Sequence, residues 1–69
     1  MVEELKMKYN YILNRYYNGC NYIEAHPDES SKYIDSVMNF KSQLEEILDQ
    51  IENIQPVSED EKLGGFKIC

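Results

Sequence analysis

Few residues in this 69-residue chain are of types that do chemistry. The single histidine, His26, stands directly before Pro27, and the two cysteines are Cys20 and Cys69. Cys20, His26 and Cys69 lack the close pairing of a zinc site such as C-x-x-C. No glycine-rich loop follows a strand to cradle phosphate. The carboxylates do not form a D-x-D-x-D-G calcium loop, and the serines have no histidine placed to activate them. The expectation is a protein that is not an enzyme and that uses no metal or cofactor.

Binding chemistry has two candidate locations. Tyr11 and Tyr22 are eleven residues apart, close to three whole helical turns, with Arg15 and Asn18 between them. On a helix these four residues share one face. Two aromatics, a guanidinium and an amide can hold a nucleobase or a protein loop by stacking and hydrogen bonding. The plain alternative is a solvated face. The second location is Glu45, Asp49 and Glu52, with Glu46 adjacent. Carboxylates spaced in this way can imitate a phosphate backbone, or simply form the wet exterior of a helix.

The net charge is −6 and is unevenly spread. Residues 1–25 balance Glu3, Glu4 and Glu24 against Lys6, Lys8 and Arg15, whereas from Asp28 onward ten acids face four lysines. Such a chain is expected to avoid nucleic acid and anionic membrane and to suit a basic protein surface. The opening MVEELKMKYNYILNRYY has no uninterrupted apolar run, so neither a signal peptide nor a membrane span is expected there.

The elements that must position these groups follow from the apolar spacing. Val2, Leu5, Tyr9, Ile12, Tyr16, Gly19 and Ile23 recur in alternating steps of three and four, the seam of a helix that packs on a helix. Tyr33, Val37, Phe40, Leu44, Ile47, Ile51 and Ile54 do the same with the steps reversed. Folding the chain about residue 28 pairs Ile23 with Tyr33, Gly19 with Val37, Tyr16 with Phe40, Ile12 with Leu44, Tyr9 with Ile47, Leu5 with Ile51 and Val2 with Ile54. The fold point lands on EAHPDESS, where Pro27 disfavours helical geometry at His26 and is itself welcome at a helix start. Asp28 or Ser30 can serve as N-cap. The reading is all-α: an antiparallel helical hairpin over residues 1–55, with helices about 2–25 and 28–54, and an acidic then apolar tail over 56–69. Gly19 costs about 1 kcal/mol relative to alanine inside a helix. Close approach of the two helices is the expected reason, with a kink or ligand surface as the alternative.

Large residues remain outside the seam. Leu13, Tyr17 and Cys20 form a second stripe on the first helix, and Ile34, Met38 and Leu48 on the second. Left in water they would make an exposed apolar surface, so a homodimer forming a four-helix bundle is expected, or else a different protein partner. A chain this short usually needs a staple or a partner subunit. Two isolated cysteines do not suggest a disulfide scaffold, so free thiols in a reducing compartment are expected. In the tail, VSEDEK is polar and acidic, and LGGFKIC carries Leu63, Phe66 and Ile68. The segment is too short to fold alone. It either packs back on its own fold or dimer mate, or inserts into a partner. Cys69 is not fourth from the end, as prenylation requires.

The stretch YIEAHPDESSKYI, followed by an acidic Leu/Ile helix and then SEDEKLGGFKI, resembles small orphan proteins of phages and prophages of low-GC Gram-positive bacteria. The resemblance implies the cytoplasm of an infected or lysogenic host. It also implies a stoichiometric inhibitor that binds and blocks a host immune or replication protein. It assigns no residue a role. Two other functions stay open: an oligomeric sponge for a nucleotide-like signal, through Tyr11, Arg15, Asn18 and Tyr22, and an acidic nucleic-acid mimic.

Overall fold

A computed structural model describes residues 2–67. It is an antiparallel helical hairpin with a short third helix, and the described residues contain no strand. Helix α1 spans Val2–Ala25, α2 spans Ser30–Glu52 and α3 spans Glu59–Gly64. Glu3 and Glu4 lie in the first turn of α1, where the exposed N–H groups favour negative charge.

Helix α1 stops where Pro27 dictates. His26 is non-helical (φ −130°, ψ 67°), and its N–H donates to the Tyr22 carbonyl at 2.9 Å. A single 3-10 turn, Pro27–Glu29, then leads into α2. The second helix therefore begins at Ser30 rather than at residue 28. Neither Asp28 nor Ser30 caps it: Glu29 occupies that position and its side chain makes no capping bond. The turn closes through backbone instead, with Glu29 N–H donating to the His26 carbonyl at 3.0 Å.

The mirrored seam forms the interface. Tyr9, Ile12, Val37, Leu44, Ile47 and Ile51 are buried, and Ile51 is wholly inaccessible. Val2, Leu5, Tyr16, Phe40 and Leu48 pack partly buried around them. Gly19 shows the closeness of approach near the turn: a Cβ there would come within 2.8 Å of Val37 Cγ2. The pairing of Gly19 with Val37 and the packing reason for the glycine both hold. One seam position fails. Helix α2 ends at Glu52, two residues early, and Ile54 lies in the following turn at 57% exposed.

The tail folds back, which it could not do unaided. Ser58 N-caps α3, accepting from Glu61 N–H, while the Glu61 carboxylate accepts from Ser58 N–H at 3.1 Å. This reciprocal capping box makes one and a half turns of helix viable. Gly65 ends the helix at φ 88°, a left-handed conformation that glycine adopts without steric cost. Phe66 is then delivered into the hairpin core, 5% exposed, with its ring edge-on to Tyr9 at 5.3 Å between centroids. Burying such a ring is worth about 2–3 kcal/mol, which a seam this short would otherwise lack.

Candidate functional site

Three α1 side chains hold the tail. Asn10 Nδ2 donates to the Phe66 carbonyl at 2.7 Å, and Asn10 Oδ1 accepts from Phe66 N–H at 2.6 Å. One carboxamide thus pairs with both backbone groups of a single residue, as a neighbouring strand would. Tyr9 and Tyr17 donate their hydroxyls to the carbonyls of Lys62 (2.7 Å) and Leu63 (2.5 Å), two of the acceptors a helix C-terminus leaves without intrahelical partners. Burial pushes the Tyr9 phenol above its ordinary pKa of 10.0, with neighbouring Tyr17 adding to the effect.

This docking revises the stripe beside the seam. Leu13 is buried at 7% exposed, within the core cluster that includes Phe66, and is not free for another molecule. Leu48 is half-buried against the same core. Of the two alternatives for the tail, Phe66 takes the first and packs back into the chain's own core rather than standing free for a partner. Leu63 does face solvent, at 65% exposed. Ile68 and Cys69 lie outside the described residues. The tail covers only the open end of this flank. Toward the turn, Tyr17 (40%), Ile34 (43%) and Met38 (53%) stay exposed, and Cys20 is half-buried with a free thiol.

The face of Tyr11, Arg15, Asn18 and Tyr22 divides into two. Arg15 donates to the Tyr11 hydroxyl at 3.0 Å, and its guanidinium stands 5.3 Å from the centre of that ring. Tyr22 belongs instead to the turn. Its ring stacks on His26 at 4.3 Å, meets Tyr33 edge-on at 5.0 Å, and its hydroxyl donates to Glu29 Oε2 at 3.0 Å. That bond to a carboxylate, more than any other cause, pushes the Tyr22 phenol up to about 12.

Beside this face runs a groove that the spacing of α1 alone did not reveal, because half of its wall comes from α2. Gly19, Tyr22, Tyr33, Ser36, Val37 and Phe40 line a cavity of about 240 Å³. Its floor is Gly19 packed against Val37. Phe40 also borders a second hollow, of about 290 Å³, walled by Arg15 and Asn18. Phe40 borders both hollows: Tyr22 lines the first, Arg15 and Asn18 line the second, and Tyr11 lines neither. The paired periodicities were the available signal: Ser36 and Phe40 are one turn apart on α2 and face the α1 residues once the hairpin is closed about its turn.

The acidic face is less open than its sequence suggests. Glu45, Glu46, Asp49 and Glu52 are exposed, but Lys62 of the docked tail lies 3.5 Å from Glu52 and 3.5 Å from Glu59. Those two carboxylates, Glu52 foremost, raise the Lys62 pKa above its ordinary value. Among the described residues no group of three His, Cys, Asp or Glu side chains is placed to hold a metal ion. No helix among them is long and apolar enough to cross a membrane.

Compared with known protein families, with characterised proteins and with solved structures, the chain gives no match.

Proposed function

We propose that this protein acts by binding rather than by catalysis: a small helical hairpin that pairs with a second copy of itself and blocks a protein of the bacterial host, in the manner of a phage-encoded inhibitor. The observation that supports this reading is the apolar surface the tail leaves uncovered toward the turn. Ile34 and Met38 are one helical turn apart on α2, and both are large and exposed. Tyr17 and Leu63, joined through the Tyr17 hydroxyl and the Leu63 carbonyl, are exposed on the same side as the tail. Apolar groups clustered in this way favour association over solvation. A two-fold pairing of hairpins would bury them in a four-helix arrangement.

The test is light scattering coupled to gel filtration at micromolar protein, comparing the native chain with an Ile34→Glu, Met38→Glu double variant. A native dimer that the double variant converts to a folded monomer is the expected result. A native chain that is monomeric at this concentration would remove the self-pairing. The inhibitor role is then tested by whether the monomeric variant loses any partner that the native chain retains in fixed stoichiometry.

A further inference from the structure

The groove between the helices lies on the flank away from the tail. On α1, Arg15, Asn18, Gly19 and Tyr22 line it, while Asn10, Leu13 and Tyr17 on the other side meet the tail segment. Its chemistry is uneven along its length. At the turn end the walls are the rings of Tyr22, Tyr33 and Phe40, with the Ser36 hydroxyl as the polar group. At the other end are the guanidinium of Arg15 and the amide of Asn18. Aromatic walls with few polar groups suit a planar ring; with Tyr22 stacked on His26 and edge-on to Tyr33, the rings left to meet a ligand are those of Tyr33 and Phe40.

The charges decide what such a ring would carry. Lys32 Nζ stands 5.8 Å from the centre of the Tyr33 ring, and Glu29 takes the Tyr22 hydroxyl, so opposite charges offset one another at the turn end. Arg15 is the only arginine in a chain of net charge −6. Among the described residues no carboxylate lies within 4.0 Å of it. One of its N–H groups is spent on the Tyr11 hydroxyl. A guanidinium has five, arranged to grip a phosphate or carboxylate. Its bond to the Tyr11 hydroxyl steadies it beside the hollow that it lines with Asn18 and Phe40.

We propose that this groove binds a planar aromatic anion of the nucleoside monophosphate class, with the base against Tyr33 and Phe40 and the phosphate on Arg15. The site does not depend on the pairing surface, which lies across the hairpin. Asn18 and Ser36 supply the hydrogen bonds that orient the ligand.

The experiment is a titration of the full chain with AMP, followed by amide chemical shifts and by calorimetry, with adenosine and inorganic phosphate as separate arms. AMP is expected to shift the amides of residues 15–22 and 33–40 and to leave 58–66 unmoved. Adenosine is expected to bind about tenfold more weakly, and phosphate alone not at all. Arg15→Gln, at an exposed position that folding does not need, should weaken AMP by about tenfold or more. Phe40→Leu should weaken AMP and adenosine alike, by a comparable factor. Lys67→Gln, on the tail, should change neither. No shift with millimolar AMP would overturn the proposal, as would equal affinity for AMP and adenosine or undiminished binding by Arg15→Gln.

Discussion

Replacing Asn10 by alanine should release the tail while leaving the hairpin folded. Asn10 makes two short hydrogen bonds to the backbone of Phe66, at 2.6 and 2.7 Å, both partly buried. Each is worth about 1 kcal/mol net, so the substitution removes about 2 kcal/mol of docking energy. The remaining attachments are the Phe66 ring and the two tyrosine hydroxyls, and they favour the docked state by a smaller margin. A loss of about 2 kcal/mol multiplies the undocked population roughly thirtyfold. The assay is native-state amide exchange. Gly65 N–H donates to the Glu61 carbonyl and Lys62 N–H to the Ser58 carbonyl. Neither bond involves Asn10, so both report α3 itself. A six-residue helix does not persist alone in water, and each undocking event therefore exposes these amides. Their protection should fall about thirtyfold, and in both proteins it should lie well below that of amides in the middle of α1 and α2, which open only by global unfolding. If Gly65 and Lys62 kept native protection in Asn10→Ala, the clamp would not be what holds the tail. If the α3 amides were protected as strongly as those in the middle of α1 and α2 in the native chain, tail and hairpin would be one cooperative unit and the tail would not open by itself.

Gly19→Ala should destabilise the protein, although alanine is the better helix former by about 1 kcal/mol. The added Cβ meets Val37 Cγ2 at 2.8 Å, and overpacking costs about 1–3 kcal/mol. Urea denaturation should show a lower midpoint, restored in part by adding Val37→Ala, and a midpoint raised by Gly19→Ala alone would refute the close-approach argument. In alkali, the folded-state pKa values of Tyr9 and Tyr22 lie above the ordinary 10.0, that of Tyr22 at about 12. Their contribution is complete below pH 10 and is lost as pH rises through the folded values. The denaturation midpoint should therefore fall between pH 10 and about 12. Tyr9→Phe should flatten that fall, and a profile unchanged by Tyr9→Phe would show that the phenol is not coupled to folding.

The hairpin was legible because both of its signals are local or periodic. The reversed three-and-four spacings and the proline at their mirror point place Gly19 against Val37 without any knowledge of contacts. The periodicity ran too far only at Ile54, where an apolar residue in register sits past the end of its helix. The third helix was missed, because the sequence reading treats 56–69 only as a tail, although Ser58 followed three residues later by Glu61 has the spacing of a capping box. What no pattern could give is why that helix stays put. Its anchor is a carboxamide on Asn10 reaching a backbone 56 residues away, and an asparagine on a helix face looks the same whether or not it has such a partner. The four-residue face of α1 was half legible for a similar reason. Helical spacing aligns Tyr11, Arg15, Asn18 and Tyr22, but Glu29 and His26 draw the Tyr22 side chain toward the turn, and the opposite wall belongs to α2.

The docked tail also has a kinetic consequence. The contacts between α1 and α2 are nested about one turn, so each pair that forms shortens the loop the next must close. The link between Asn10 and Phe66 spans almost the whole chain, and closing so long a loop first would carry the largest entropic penalty. Once the hairpin has zipped, only residues 53–57 separate α2 from the Ser58 cap, and the tail is already tethered beside its site. Docking therefore comes after the rate-limiting step. Weakening it should speed unfolding and leave refolding almost unchanged. The last residues to order should then govern how long the native state lasts, and the residues around Gly19 and the turn how quickly it is reached.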